Sequence, residues 1–291
     1  MARLALLSDI HGNYKALEAF LAYIDKNPVD GIICLGDYVT DAPYPERTLA
    51  LLHEMERQHR CIMLRGNRED YLINNRDNHE NWKPSSANGT LFYTQQHVAE
   101  EELQYFEAMP TERELVLPGW PTMYLCHGTP GRVRGNVEEQ EGLLQSVMEK
   151  LLYQYLCGGH SHHQEICSVC GKTYVNPGSL GMCIDGVGRR AQFAIMTNVS
   201  ENDVRIQPMS IPYDVDGYLQ DFEKSGVDTY GMTLIKAIKK SLTTGVNYFL
   251  RCIVDIEALA EQKSDRDATR IPQVSDIPES EWQKLEEKYG L

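Results

Sequence analysis

The sequence predicts an α/β protein folded as a four-layer α/β/β/α sandwich, two mixed sheets flanked by helices, with a C-terminal helical appendage. Three observations carry that expectation. Short apolar runs alternate with helix-spaced segments up to Asn67, closer-spaced runs with glycine-containing turns follow from "ELVLPG" to "RAQFAIM", and helical periodicity takes over from about Tyr213. The first pattern marks βαβ units on a parallel sheet; the second marks antiparallel or mixed pairing in another.

In chain order, "RLALLSD", "DGIICLGD" and "RCIMLRGN" read as strands, with "YKALEAFLAYID" and "PERTLALLHEMERQ" as the helices between them. Residues 69–110 read as an insertion near the strand ends, polar and turn-rich in "EDYLINNRDNHENWKPSSANG" and helical in "TLFYTQQHVAEEELQYFEAMP". The strands "ELVLPG", "TMYLCHG", "QYLCGGH", "QEICSV", "KTYVNPG" and "RAQFAIM" are assigned to the second sheet, with a helix around 138–152. Three helices follow, "DVDGYLQDFEKSG", "GMTLIKAIKKSL" and "NYFLRCIVDIEALAEQ", before the polar, proline-bearing "KSDRDATRIPQVSDIP" breaks the pattern. The last helix, "ESEWQKLEEKYG", is expected to be capped by Asp276, with Glu279 three residues on. Residues 1–215 thus form one domain and 216–291 a helical extension.

With 42% hydrophobic and 24% charged residues, the composition is that of an ordinary globular protein. No apolar run approaches the ~20 residues that span a bilayer, so no membrane role is expected. The opening "MARLALLSDIHGN" reads as a buried strand rather than a signal peptide. The eight cysteines lie mostly in apolar strand-like runs, where thiols behave as small hydrophobes; a cytoplasmic location is expected. A net charge of −14 argues against broad nucleic-acid binding.

The strand ends collect Asp9 and His11 in "DIH", Asp37 in "GD", Asn67 in "GN", His127 in "CHG", and His160 with His162 in "GHSH". Chemistry in α/β sheets gathers beyond the carboxyl ends of strands. Carboxylate, imidazole and amide oxygen together suit borderline divalent metals: manganese first, with iron, zinc or nickel as alternatives. Extended geometry would let Asp9 and His11, or His160 and His162, point the same way, and the glycines beside them would permit close approach. Two cations sharing Asp37 would leave positive charge to attract a phosphate in an otherwise acidic protein. They would also lower the pKa of a bridging water.

The ordered set Asp-x-His, Gly-Asp, Gly-Asn, Gly-His and Gly-His-x-His resembles the calcineurin-like metallophosphoesterase superfamily. "LLSDIHGN", "NPGSLG" and "IPYDV" are similar to its small bacterial phosphodiesterase branch, and the likeness covers roughly residues 1–215. The resemblance implies that one metal takes Asp9, His11, Asp37 and His162, and the other Asp37, Asn67, His127 and His160. It implies a catalytic domain at 1–215, catalytic roles for Asp37 and Asn67, and a contact from Asn13 to the substrate phosphate or to one of the metal-ligating side chains; Arg68, next to Asn67, is expected to be catalytic and to contact the phosphate through its guanidinium. The expected reaction is hydrolysis of a small-molecule phosphodiester, nucleotides among the candidates, by attack of a hydroxide bridging two divalent metal ions. A phosphomonoesterase or protein phosphatase on the same site, or a catalytically weak metal-binding scaffold, are the alternatives. The C-terminal helices are candidates for homo-oligomer contacts. Arg68 stands where the family usually has histidine, and a guanidinium does not release its proton near neutral pH, so Arg68 can clamp phosphate but cannot act as a general acid.

His163 is expected to be packed or exposed, pointing away from His162. Asp41 could orient a metal-bound water or serve turn chemistry. His53, His59, His79 and His97 receive no role, "KAIKK" reads as a solvated face, and Cys167-x-x-Cys170 lacks a second pair at zinc-ribbon spacing. Tyr71, Trp82, Phe92 and Tyr93 could wall a nucleoside pocket or fill a core.

Overall fold

The computed structural model describes residues 1–77, 82–137, 140–201, 203–263 and 274–291. The chain opens with β1 (Arg3–Leu7), α1 (Tyr14–Lys26), β2 (Gly31–Cys34), α2 (Pro45–Gln58) and β3 (Cys61–Met63), then the helices α3 (Asn67–Asn74), α4 (Gly89–His97) and α5 (Glu100–Glu107). Next come β4 (Glu112–Leu115), β5 (Met123–Cys126), α6 (Leu143–Lys150), β6 (Tyr155–Cys157), β7 (Gln164–Val169), β8 (Lys172–Pro177), β9 (Arg190–Ser200) and β10 (Asp203–Pro212). It closes with α7 (Val215–Ser225), α8 (Val227–Thr244), α9 (Tyr248–Lys263) and α10 (Glu279–Tyr289).

Two five-stranded sheets result, ordered β10-β9-β1-β2-β3 and β4-β5-β6-β8-β7. In the first, β1, β2 and β3 are parallel, β9 runs against β1, and β10 runs against β9. In the second, β5, β6 and β8 are parallel, with β4 and β7 as antiparallel edges.

Side-chain alternation fixes the layers. Leu4 and Leu6 of β1 and Ile33 of β2 face Met123, Leu125, Cys157 and Val175 of the other sheet. Their neighbours Ala5, Leu7, Ile32 and Cys34 face the opposite way, onto Leu17 and Phe20 of α1 and Leu52 of α2. On the far side, Cys126, Leu156 and Tyr174 pack against Met148 of α6. Four layers, helix, sheet, sheet and helix, follow from strands that are apolar on both faces.

Three expectations need correction. "RAQFAIM" belongs to the first sheet, where Ala194 pairs with Leu6 and Met196 with Leu4, and it is extended by β10, which no sequence pattern announces. β10 is an edge strand, largely exposed and carrying Pro208 and Pro212, so it lacks the apolar run that betrays a central strand. The helix expected around 138–152 spans only Leu143–Lys150.

The third concerns the end of the chain. Asp276 sits in a single 3-10 turn and does not cap α10; Glu279 instead accepts hydrogen bonds from the backbone N–H and the hydroxyl of Ser86. Most of the polar break, 264–273, lies outside the described residues, as does His79. The lysines of "KAIKK" do lie at the surface, Lys236 being half exposed, and two of them also tie α10 to α8: Lys236 pairs with Glu286 at 2.6 Å and Lys240 donates to the Gly290 carbonyl at 3.0 Å. Leu234, Ile238, Ile256 and the fully buried Trp282 form a core that also takes in Tyr14, Ala42 and Tyr93. Among the described residues no helix is long and apolar enough to cross a membrane.

Candidate metal centre

The loops after β1, β2, β3, β5 and β6 meet at one end of the sandwich. They are stitched together by backbone hydrogen bonds: Asp9 N–H donates to Gly36 O, His11 N–H to Asp37 O, Gly181 N–H to Asp9 O and Gly159 N–H to His127 O. Here the structure departs from the extended geometry expected of the Asp-x-His and His-x-His pieces. Asp9, His11, Asp37, His160 and His162 have φ of 56°, 45°, 57°, 65° and 61°, the left-handed region that non-glycine residues seldom occupy. Their side chains converge because the backbone coils, not because a strand alternates. Gly159 is needed for steric reasons, since a Cβ there would overlap Ser8 Oγ and press to 2.9 Å of Asp9 Oδ2.

Two groups of potential ligands emerge, Asp9 with His11 and His162, and Asp37 with His127 and His160; within each group the donor atoms lie within 4.8 Å of one another. Asp37 Oδ2 stands between them, 3.7 Å from His11 Nε2 and 3.4 Å from His127 Nε2. Asn67, the first residue of α3, places Oδ1 3.2 Å from His127 Nε2. The seven residues named from the sequence are therefore brought to one place, six of them in the two groups and Asn67 beside the second.

Backbone carbonyls fix two imidazoles. His127 Nδ1 donates to Leu35 O at 2.9 Å and His162 Nδ1 to Met182 O at 3.0 Å, so each in its neutral form presents the lone pair of Nε2 to the centre. His11 Nδ1 faces Asp41 Oδ2 at 3.4 Å.

Buried charge dominates the electrostatics. Burial alone would raise the Asp9 carboxyl, but His162, His11 and His127 hold it well below the usual carboxylate range. Burial also works to raise Asp37, which His127 and His11 nonetheless bring down to about 2. Burial opposes protonation of His11 and His127, yet the surrounding carboxylates, Asp41 and Asp9 for one and Asp37 for the other, lift both to about 9. His160 goes the other way, to about 4, through burial and the neighbouring His127.

These residues fit divalent cations on two observations. Asp9 Oδ1 is fully buried and has no hydrogen-bond partner among the described residues, lying 3.3 Å from His162 Nε2 and 3.8 Å from His11 Nε2. Imidazole, carboxylate and amide oxygens with no thiolate among them are the donor set of a borderline divalent metal.

Around this centre several expectations change. The Asn13 amide is engaged within the chain: Oδ1 caps α1 by accepting from Ala16 N–H, and Nδ2 donates to Gly181 O at 2.8 Å and Tyr213 Oη at 3.0 Å. It thereby braces the loop after β1. Asp41 is more than a turn residue, holding His11 on one side and the Arg68 guanidinium at 3.2 Å on the other. Its position four residues beyond Asp37 is the signal the sequence offers.

Sequence reasoning overlooks Glu69. Fully buried, it accepts from the backbone N–H groups of Gly66, Asp37 and Tyr38 at 2.8–2.9 Å, fixing the β2 and β3 loops to each other. Burial and Asp37 raise its carboxyl to about 7. An acid at the third helical position after the Gly66 cap is a capping signal that points to it.

Arg68 lies at the rim. Its backbone N–H donates to Asp37 Oδ1 at 2.8 Å, and its guanidinium sits near the rings of both Tyr71 and Phe249. The centre opens into a pocket of about 150 Å³ whose outer wall is Asn247, Phe249 and Leu250 from the C-terminal extension, a segment whose sequence carries no hint of a role at the site. His163 is exposed beyond it. Of the four aromatic residues weighed as pocket walls, Tyr71 and Trp82 line a neighbouring cavity, whereas Phe92 packs on Tyr230 and Tyr93 is buried. His53 pairs with Glu102 at 2.9 Å, away from the site.

Residues 2–201 match the model of the calcineurin-like phosphoesterase superfamily domain. An uncharacterized protein of Methanocaldococcus jannaschii is 26% identical over 230 residues, 73% of this chain and 88% of that one. Among solved structures, a hypothetical protein from Pyrococcus horikoshii aligns with a TM-score of 0.71 at 18% identity, covering 84% of this chain and 99% of that one. A metallophosphoesterase from Sphaerobacter thermophilus aligns with a TM-score of 0.65 at 23% identity, covering 84% and 100%. These two likenesses establish a shared fold.

Proposed function

Because the chain belongs to the calcineurin-like phosphoesterase superfamily, we propose that it hydrolyses a phosphodiester at a centre of two divalent transition-metal ions, manganese first among the candidates. The observation that carries this reading is the convergence of two carboxylate–imidazole groups around the partnerless Asp9 Oδ1, with Asp37 between them. Asp9, His11, Asp37 and His162 would hold one cation, and Asp37, Asn67, His127 and His160 the other. Bound there, the pair would supply positive charge for the phosphoryl oxygens and ready a water for attack at neutral pH.

The chain's own residues do the rest. Leu35 O and Met182 O hold His127 and His162 in the tautomer that leaves Nε2 free. Asp41 holds the Arg68 guanidinium at the pocket rim, where it can clamp a phosphate oxygen. Arg68 cannot protonate a leaving group, so that proton comes from water or another residue and good leaving groups are favoured. Space beyond Arg68 supports a diester: the small pocket over the centre and a larger cavity share that side chain, leaving room for a substituent on each side of phosphorus. The free thiols of all eight cysteines fit a reducing compartment such as the cytoplasm.

The test is metal analysis of the purified protein with a screen of diesters, monoesters, cyclic nucleotides and dinucleoside polyphosphates, using Asp37→Ala as control. We expect metal-dependent turnover of diesters that Asp37→Ala abolishes. Two bound cations with no turnover of any ester would leave a metal-binding scaffold as the reading.

A further inference from the structure

Beside the metal pocket lies a cavity of about 770 Å³, within the range of small-molecule sites. Arg68 borders both spaces, so a phosphate held at the centre would point one of its substituents into the larger one. The cavity has three kinds of wall. Near Arg68, the guanidinium groups of Arg68 and Arg134 lie 5.8 and 5.6 Å from the centre of the Tyr71 ring. Trp82, Leu91 and Ile253 supply apolar surface. A further wall comes from α9, which contributes Glu257 and Glu261, four residues apart and so on one helix face.

We propose that this cavity binds the nucleoside of a nucleotide phosphodiester substrate. The proposal rests on the phosphodiesterase reading and names the substrate class for the same site. A nucleotide presents, in order, an anionic phosphate, a ribose with hydroxyl donors and a flat heteroaromatic base. The cavity presents cations at the mouth, carboxylates that accept from hydroxyl or amine donors, and aromatic and apolar walls for a base. A lipid-like alcohol would offer Glu257 and Glu261 too few donors to accept from, and a simple sugar would leave the Trp82 and Leu91 surface unused.

The experiment separates this inference from the reading it rests on. Adenosine, guanosine, cytidine and uridine are titrated calorimetrically into the full-length protein, a measurement that needs no turnover. The same nucleosides are then added to the manganese-loaded protein hydrolysing bis(p-nitrophenyl) phosphate, a diester too small to fill the cavity. At least one nucleoside should bind and inhibit. Leu91→Trp, which fills the cavity, and Glu257→Gln, an exposed position that keeps its shape, should each weaken that binding about tenfold while leaving turnover of the small diester within about twofold. If the small diester is hydrolysed but no nucleoside binds, or if both variants bind as the native protein does, the nucleoside site is wrong and the phosphodiesterase reading survives. If a nucleoside binds and both variants weaken it but no ester is hydrolysed, the site stands and the phosphodiesterase reading fails.

Discussion

His11 Nε2 and His162 Nε2 lie 3.1 Å apart, while the Nδ1 of His162 is committed to Met182 O and that of His11 faces Asp41. Without a cation the pair must share or carry a proton to avoid opposing lone pairs across a buried gap, beside Asp9 Oδ1, which has no hydrogen-bond partner among the described residues. A cation resolves both problems at once. We therefore expect manganese to stabilise the protein against thermal unfolding, by roughly 2.7 kcal/mol at a hundredfold excess over the dissociation constant. Asp9→Ala should remove most of that gain in a thermal-shift assay, and an equal gain in the variant would place the cation elsewhere.

Proton release should accompany metal uptake. In the metal-free protein His11 and His127 rise from the ordinary 6.5 to about 9, so their contribution to stability is complete below about pH 6.5 and is lost as pH climbs through 9. Metal ligation requires both neutral, so the cation binds better as pH rises. The melting-temperature gain from manganese should accordingly be larger at pH 9 than at pH 6; calorimetry in buffers of different ionisation enthalpy would count the protons. A gain that shrinks with rising pH would contradict the assignment. Asp37, lowered to about 2, has the opposite sense: its stabilisation is present above its ordinary value of 3.8 and fails as pH falls toward 2.

Arg68→Ala should lower kcat/KM for diesters by about tenfold to a hundredfold, the worth of one charge-assisted hydrogen bond, with metal content unchanged. Arg68→His is the sharper variant, because it introduces a group able to give up a proton. Its rate should depend less steeply on leaving-group pKa across a series of aryl diesters. The same slope in both proteins would show that the residue at position 68 does not govern leaving-group protonation.

Glu69→Ala leaves the N–H groups of Gly66, Asp37 and Tyr38 without their acceptor in a buried place. Each orphaned donor costs roughly 1–3 kcal/mol, so a loss of about 3 kcal/mol or more is expected in urea denaturation. Glu69→Gln should fall between, since its carbonyl can serve two donors while its amide group opposes the third. A loss below about 1 kcal/mol for the alanine variant would show that other groups hold the two loops together.

How far the sequence discloses all this depends on what each feature leaves in residue types. Metal-ligand candidates are legible because the chemistry demands Asp, His and Asn, and strand ends beside glycine restrict where they stand. Asp41 and Glu69 act through hydrogen bonds that many residues make, so nothing in their type sets them apart. β10 is hidden by its exposure. The sheet that "RAQFAIM" joins is hidden because partners as far apart along the chain as Leu4 and Met196 are not encoded in a local pattern. Phe249 and Asn247 read as members of an amphipathic helix region; only packing of α7 to α10 onto Tyr14, Ala42 and Tyr93 brings them over the pocket.

Five of the seven ligand candidates sit in the left-handed backbone region, each at a cost of about 1 kcal/mol or more. That makes the centre a loaded spring clamped by the two sheets behind it. Softening the clamp, for instance by trimming Leu6 or Met196 in the layer between the sheets, would let the coils relax toward ordinary geometry well before the molecule unfolds. Cation affinity then becomes a gauge of packing some distance away, and a substitution that never touches the pocket can silence it.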